Sequence, residues 1–207
     1  MALAEARELG LLGPGPISTH LAHAQGFVEP MRRHSPTPDA ARLVDLGSGG
    51  GLPGLVVAAC WPEVELVLLD ASARRTDFLR RAVDQCEFGQ RVTVVQQRAE
   101  LFGRDPDARH SFDGVLVRSF GPPAVVAECA APLLKKQGCV IVSEPPESTE
   151  WAAVPEGRWP ASGLAECGLE AAEYLRGEFG YQVLRQVELC PEKFPRRDGV
   201  PAKKPLF

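Results

Sequence analysis

A glycine-rich segment followed by a distant acid is the pattern in this chain that most strongly suggests chemistry. The segment reads Gly-Ser-Gly-Gly-Gly-Leu-Pro-Gly over residues 47–54, and Asp45 stands two residues before its first glycine. Glycine allows sharp backbone turns and lets a ligand approach main-chain atoms that a Cβ would block. Asp70 lies 23 residues beyond Gly47, and a carboxylate at that distance can accept both hydroxyls of a ribose. The spacing predicts a site for a ligand that contains a nucleoside.

The surrounding elements must bring the glycines and Asp70 to one edge of a sheet. Short apolar runs predict five strands, at residues 42–46, 65–69, 91–95, 112–117 and 138–142. Helical spacing predicts helices at residues 17–33, 53–60, 73–86 and 122–134. This alternation is typical of the α/β class, here a Rossmann-like, mostly parallel sheet with helices on both faces. Ligands bind such sheets at the carboxyl ends of the strands.

The last third of the chain is less regular. Four prolines between residues 145 and 160 predict a long irregular connection. Residues 171–176 fit either a helix or a strand, and the alternation over residues 181–189 predicts a final antiparallel strand.

The form of the glycine segment narrows the choice of ligand. A dinucleotide fingerprint wants glycine or alanine at position 52, where this chain has Leu52, and a phosphate loop of the ATPase type needs a Gly-Lys-Ser/Thr that is absent. Alternating glycines between Asp45 and Asp70 resemble those of class I S-adenosylmethionine-dependent methyltransferases. A nicotinamide enzyme and a glycine turn without a ligand remain as alternatives.

Further segments extend this resemblance to one family. They are Asp70-Ala71-Ser72, Arg74-Arg75, Gln97-Arg98-Ala99-Glu100, Val117-Arg118-Ser119-Phe120 and the ending Arg196-Arg197-Asp198-Gly199-Val200-Pro201-Ala202-Lys203-Lys204-Pro205-Leu206. Over residues 42–142 and the last fifteen residues, the chain is similar to the RsmG (glucose-inhibited division protein B) family. The resemblance implies an enzyme that methylates N7 of one guanine in bacterial 16S ribosomal RNA.

The resemblance also implies the residues of the site. Those expected to bind the cofactor S-adenosyl-L-methionine are Gly47, Gly49, Gly51, Leu52, Asp70, Ala99, Glu100 and Arg118. Those expected to bind RNA are Arg118, Arg196, Arg197, Lys203 and Lys204. Guanine N7 carries a lone pair and no proton, so transfer to it needs alignment and desolvation more than a general base, and no catalytic residue is named. The four histidines are predicted to be structural or to lie on the surface, and no metal site is expected.

Composition and charge indicate the expected cellular compartment and binding partner. The net charge of −4 argues against indiscriminate nucleic-acid binding, but residues 193–204 hold five basic side chains against one acid. Six scattered cysteines are expected to be structural thiols in a reducing compartment. No secretory signal or membrane-spanning run is recognisable, so we expect a cytoplasmic monomer whose partner is 16S ribosomal RNA or the 30S subunit, with no membrane contact.

Two segments depart from the family pattern and leave the substrate open. We expect residues 1–41 to form a short helical cover, and residues 42–207 to form the methyltransferase domain with a basic tail at 193–207. The cover is shorter than is usual in the family, and Ser143-Glu144 replaces a usual Lys-Gly after the fifth strand. A small-molecule methyltransferase of the same fold and a non-catalytic S-adenosylmethionine-binding module are therefore the alternatives.

Overall fold

A computed structural model describes residues 2–145 and 155–207 of the chain. Seven strands of this part form one sheet in the order β3-β2-β1-β4-β5-β7-β6. The strands are β1 (Arg42–Leu46), β2 (Glu65–Asp70), β3 (Val92–Gln96), β4 (Phe112–Val117), β5 (Leu134–Ser143), β6 (Leu169–Leu175) and β7 (Tyr181–Gln186). The helices are α1 (Ala2–Glu8), α2 (Ile17–Gln25), α3 (Val28–His34), α4 (Gly54–Cys60), α5 (Ala73–Gln85), α6 (Ala99–Phe102), α7 (Pro123–Ala130), α8 (Pro155–Arg158), α9 (Ala161–Glu166) and α10 (Val200–Lys203), with a 3-10 turn at Ala131–Leu133.

The predicted α/β class is confirmed. Strands β1 to β5 pair in parallel, and β7 runs antiparallel between β5 and β6. Every residue of the central strand β4 is buried, as expected for a parallel strand covered on both faces. The order reverses between β1 and β4, so the switch point lies beside the glycine segment that follows β1.

Several element boundaries differ from the prediction. The helix predicted over residues 17–33 is broken into α2 and α3. At the junction, a Cβ at Gly26 would lie 2.0 Å from the Tyr181 hydroxyl of β7. That hydroxyl donates a 2.6 Å hydrogen bond to the carbonyl of His23. The helix predicted over residues 122–134 ends at Ala130, and β5 begins at Leu134 rather than at residue 138.

The remaining comparisons between prediction and structure concern the N-terminal part and the last third of the chain. Residues 171–176, which fitted a helix or a strand, lie largely in β6. Helix α1 was not predicted, and it is held on α5 by the ion pair of Glu5 with Arg81 at 2.8 Å. Part of the predicted irregular connection, residues 146–154, lies outside the described residues. The domain division at residue 41 stays a prediction.

Apolar side chains pack on both faces of the sheet. One cluster joins β1, β4 and β5 to α7 and α9, and the other joins the opposite face to α3, α4 and α5. The six cysteines are free, and four of them are buried: Cys129, Cys139, Cys167 and Cys190. Among residues 2–145 and 155–207, no helix combines the length and apolar content needed to cross a membrane.

Candidate cofactor site and its rim

The glycine segment is a tight turn at the carboxyl end of β1. The backbone N–H groups of Gly47 and Ser48 both donate to the carbonyl of Leu69 on β2, at 2.8 and 3.0 Å. Gly47, Gly49 and Gly51 have φ values of +75°, +53° and +86°. L-residues with a side chain rarely adopt this left-handed region, so the turn requires glycine at these positions.

Asp70 is fixed in orientation at the end of β2. Its Oδ1 accepts the N–H of Ser72 at 2.9 Å, and its Oδ2 accepts the N–H of Gly49 at 3.0 Å. The half-exposed Arg75 guanidinium lies 3.4 Å from Oδ2, while the Asp70 side chain is 5% exposed. The carboxylate thus ties the glycine turn to β2 and lines the cleft described below.

Asp45 supports the glycine turn from inside. It is 1% exposed, and its Oδ2 accepts the N–H of Gly54 at 3.0 Å. Burial, and secondarily the nearby charge of Asp70, raise the pKa of Asp45 from 3.8 to about 7. The residue is therefore a structural support rather than a group in contact with a ligand.

The raised pKa makes stability depend on pH in a predictable direction. Between about pH 4 and the folded pKa of about 7, the unfolded chain loses the Asp45 proton while the folded chain keeps it. Folding stability contributed by this group therefore falls as pH rises through that window and levels off above it. Asp45→Asn keeps an oxygen that accepts the Gly54 N–H and does not titrate.

We therefore expect the melting temperature of Asp45→Asn, relative to the unsubstituted protein, to increase between about pH 4.5 and about pH 8. One pKa unit corresponds to about 1.4 kcal/mol, and thus to about 3–6 °C for a chain of this size. Thermal unfolding across this range, with both proteins in the same buffers, measures the difference. Parallel profiles would show that Asp45 does not titrate in the folded protein.

Two adjoining cavities form one cleft along the carboxyl edge of the sheet. The first, of about 290 Å³, is lined by Asp70, Ala99 and Glu100. The second, of about 220 Å³, lies between the glycine turn and the N-terminal residues 11–13 and His20. Three residues line both cavities: Gly47, Arg75 and Ser119.

Most of the predicted cofactor residues come together in this cleft. Of these residues, the first cavity is lined by Gly47, Asp70, Ala99 and Glu100. The second is lined by Gly47, Gly49, Leu52 and Arg118. Gly51 differs, because a Cβ there would lie 2.4 Å from the Leu55 side chain of α4. The structure thus gives Gly51 a packing role, and a cofactor contact for it stays a prediction.

Sequence reasoning missed two residues at the rim of the second cavity. One is His20 of α2, which was predicted to be structural or to lie on the surface. It is buried and lines this cavity, and its Nδ1 lies 2.9 Å from the Arg118 guanidinium. Its Nε2 lies 3.1 Å from the carbonyl of Gly13, so Nε2 donates there while Nδ1 accepts from Arg118. Ser119 has a φ of +56°, a strained conformation that is concentrated at functional sites.

The predicted RNA-binding residues have different surroundings. Arg118 is partly buried in the cleft, while Arg197, Lys203 and Lys204 are exposed. Arg196 is committed to the fully buried Glu128, since its Nε and a terminal nitrogen donate to the two carboxylate oxygens at 2.8 and 2.6 Å. An RNA contact for Arg196 stays a prediction, but its guanidinium already has an internal partner.

Comparisons with known proteins agree on the family and on the fold. The family model described as "rRNA small subunit methyltransferase G" matches residues 20–153. A ribosomal RNA small subunit methyltransferase G of Thermotoga sp. (strain RQ2) is 35% identical over 170 residues, covering 80% of this chain and 72% of the relative. One of Prochlorococcus marinus (strain MIT 9313) is 36% identical over 169 residues, covering 80% and 68%.

Solved structures with low sequence identity share the fold. An O-methyltransferase (NcsB1) from neocarzinostatin biosynthesis, in complex with S-adenosyl-L-homocysteine and 1,4-dihydroxy-2-naphthoic acid, superposes with a TM-score of 0.62 at 15% identity, covering 83% of this chain and 56% of that one. A Corynebacterium glutamicum protein gives 0.58 at 16% identity, covering 90% and 88%. The glycine turn, the acid that ends β2, the family model and the relatives all lead to the same assignment. The chain belongs to the rRNA small subunit methyltransferase G family.

Proposed function

We propose that the chain transfers a methyl group from S-adenosylmethionine to N7 of a guanine in 16S ribosomal RNA. The observation that carries this proposal is the cleft itself, in which the glycine turn and the fixed Asp70 carboxylate share one edge with the Arg118 guanidinium. A nucleoside cofactor needs the glycine turn and the Asp70 carboxylate, and a nucleic-acid substrate fits the Arg118 guanidinium. When bound, the cofactor supplies an electrophilic methyl group on a sulfonium.

The described residues fit such a cofactor. A Cβ at Gly49 would meet only the Gly47 carbonyl oxygen, at 3.8 Å, so the turn opens onto free space. Asp70 presents carboxylate oxygens for the two ribose hydroxyls, and Ala99 offers a small apolar contact for the adenine. The amino-acid part would lie along the glycine turn in the second cavity, beside Leu52.

The chemistry requires positioning rather than proton removal. In the described part of the chain, no group of three or more His, Cys, Asp or Glu side chains could hold a metal ion. Guanine N7 is nucleophilic without deprotonation, so holding its lone pair in line with the methyl group and excluding water are the main requirements. In this proposal the Arg118 guanidinium would donate to guanine O6 or to a flanking phosphate, and its contact with His20 would orient it.

The N-terminal segment is proposed to cover the substrate side of this cleft. Leu11, Leu12 and Gly13 line the second cavity together with His20. These contacts support residues 1–41 as a cover and residues 42–207 as the methyltransferase domain. A guanine that enters this cavity would have to be unstacked from its neighbours, as in other enzymes that modify bases.

We propose that RNA affinity depends partly on Arg197, Lys203 and Lys204. All three are exposed, and Ala202 between them lines the first cavity. Phosphate contacts of this kind release counterions and make affinity dependent on salt. The proposed partner is 16S ribosomal RNA or the 30S subunit, the proposed setting is the cytoplasm, and the chain is proposed to act as a monomer.

Replacing Arg197, Lys203 and Lys204 together by glutamine should therefore weaken RNA binding and flatten its salt dependence. Each lost contact lowers the slope of log K against log salt by about 0.7–0.9, so the triple variant should lose about 2 to 3. Filter binding to 16S RNA over a range of salt concentrations measures the slope. Lys136→Gln is the control, because Lys136 pairs with Glu188 near the amino end of β5, at the other edge of the sheet. An unaltered slope in the triple variant would exclude these side chains as phosphate contacts.

The experiment that tests the proposed function is methyl transfer from radiolabelled S-adenosylmethionine. Three reactions are compared: purified 30S subunits, deproteinised 16S RNA and no acceptor, each followed by nucleoside analysis. We expect label in 7-methylguanosine from one or both RNA samples and none without acceptor. Binding of S-adenosylhomocysteine without any label in RNA would overturn the ribosomal substrate and leave a small-molecule methyltransferase or a non-catalytic module.

A further inference from the structure

The C-terminal strap, defined here as residues 194–204, is packed against the body of the protein along the first cavity. Phe194 is 2% exposed, and Pro201 is also buried. Arg109 donates to the carbonyl of Phe194 at 2.7 Å, and Arg104 donates to the carbonyl of Pro195 at 2.9 Å. The basic tail predicted from sequence is therefore an ordered part of the fold over this segment.

The first anchor of the strap is a buried charge pair. Glu128 on α7 is fully buried, and it accepts three hydrogen bonds from Arg196, one from the backbone N–H at 2.7 Å and two from the guanidinium at 2.8 and 2.6 Å. Breaking a buried pair by removing one partner leaves an uncompensated charge, which is strongly destabilising. The position of the strap is thus specified by the carboxylate beneath it.

The second anchor lies directly beside the cleft. Glu100 is 5% exposed, and its Oε1 accepts the N–H of Gly199 at 2.9 Å and the Arg98 guanidinium at 3.0 Å. Arg98 also pairs with Asp198 of the strap. Burial alone would raise the pKa of Glu100, but these donors outweigh it and hold the pKa below its usual value. The carboxylate is therefore ionised at neutral pH, and its charge is used to hold the strap.

Beyond the second anchor, the strap reaches the first cavity. Ala202 on α10 lines the first cavity together with Asp70, Ala99 and Glu100. Gly199, at the start of this helix, has a φ of +72°, and a Cβ there would meet no atom within 4 Å. The left-handed turn at Gly199 redirects the chain, so that α10 stands at the mouth of the cavity that we assign to adenosine.

We infer that the C-terminal strap is a wall of the cofactor site. It closes the adenosine end of the cleft through Ala202, and Glu100 is the positioning residue that holds it there. This inference rests on the proposed function, because it takes the cleft to be the S-adenosylmethionine site. It separates two roles within one basic segment: Arg196 anchors the strap, whereas Arg197, Lys203 and Lys204 remain on its exposed side.

Ala202→Trp tests the wall, with Ala165→Trp on the short helix α9 as the matched control. Ala202 and Ala165 are both exposed, but only Ala202 lines the first cavity. We expect Ala202→Trp to weaken S-adenosylhomocysteine binding at least about tenfold in calorimetry, with a melting temperature close to that of the unsubstituted protein. Ala165→Trp should bind within about twofold of the unsubstituted protein.

A smaller ligand and a second variant separate wall formation from general stability. Because the strap is inferred to close the adenosine end, 5′-methylthioadenosine, which lacks the amino-acid part, should lose the same factor as S-adenosylhomocysteine. Glu100→Gln should lower the affinity for both ligands by a common factor of about three to ten. A purely structural Glu100 would instead lower the melting temperature and leave both dissociation constants unchanged.

The outcomes distinguish this inference from the proposed function. If the unsubstituted protein binds S-adenosylhomocysteine and Ala202→Trp binds it equally well, the strap is not a wall and the proposed function stands. If the unsubstituted protein binds neither ligand, the cofactor assignment is wrong, and this inference, which depends on it, is wrong as well.

Discussion

Asp70→Ala is expected to abolish measurable S-adenosylhomocysteine binding. The carboxylate is held toward the cleft by the N–H groups of Ser72 and Gly49, at 2.9 and 3.0 Å, and is 5% exposed. In the proposed complex it accepts both ribose hydroxyls, and each hydrogen bond to a charged group contributes about 1.5–3 kcal/mol. Losing two such bonds corresponds to a decrease in affinity of about 100-fold or more.

Calorimetric titration measures this loss, with Asp77→Ala as the control. Asp77 is an acid on α5, the helix that follows Asp70, but its side chain is 62% exposed and pairs with Arg80 outside the cleft. We expect Asp77→Ala to bind like the unsubstituted protein. An unchanged dissociation constant for a folded Asp70→Ala would remove Asp70 from the ribose site.

Gly49→Arg is the second substitution with a large expected effect. Its φ of +53° costs a residue with a side chain about 1–2 kcal/mol. The space around its Cβ is otherwise open, since only the Gly47 carbonyl oxygen lies near, at 3.8 Å. The arginine side chain would therefore project into the second cavity, which Gly49 lines, and occupy the space assigned to the cofactor. We expect no measurable S-adenosylhomocysteine binding by a protein that still folds.

Gly89→Arg is the matched control for this substitution. Gly89 is exposed, a Cβ there would meet no atom within 4 Å, and it lies in the loop between α5 and β3. The control adds the same charge and volume outside the cleft, so its affinity should not change. Cofactor binding by Gly49→Arg at the level of the control would contradict the assignment of the glycine turn.

The parts of the site that were predictable from sequence are those fixed by short-range pattern. Strand β1 leads into the glycine turn, and Asp70 ends the next strand, so parallel pairing alone brings them to one edge. The left-handed φ values of the turn explain why glycine occurs there. No assumption about distant contacts is needed for these features.

The parts that were missed depend on residues far apart in the chain. His20 contacts Arg118 across 98 residues, and Arg196 contacts Glu128 across 68 residues. Neither Glu128 nor Glu100 could be recognised as a partner of the C-terminal segment from spacing, because the segment reads only as a run of basic residues. The close approach of Tyr181 to Gly26 is of the same kind, since the two residues are far apart in the chain.

The most direct test of the account is a crystal structure of the protein with S-adenosylhomocysteine. We expect the ribose hydroxyls within hydrogen-bond distance of Asp70, the adenine between Ala99 and Ala202, and the amino-acid part along Gly47 and Gly49. The strap would remain anchored by its contact between Gly199 and Glu100. A nucleoside bound away from Asp70, or a strap displaced from an occupied cleft, would contradict the account.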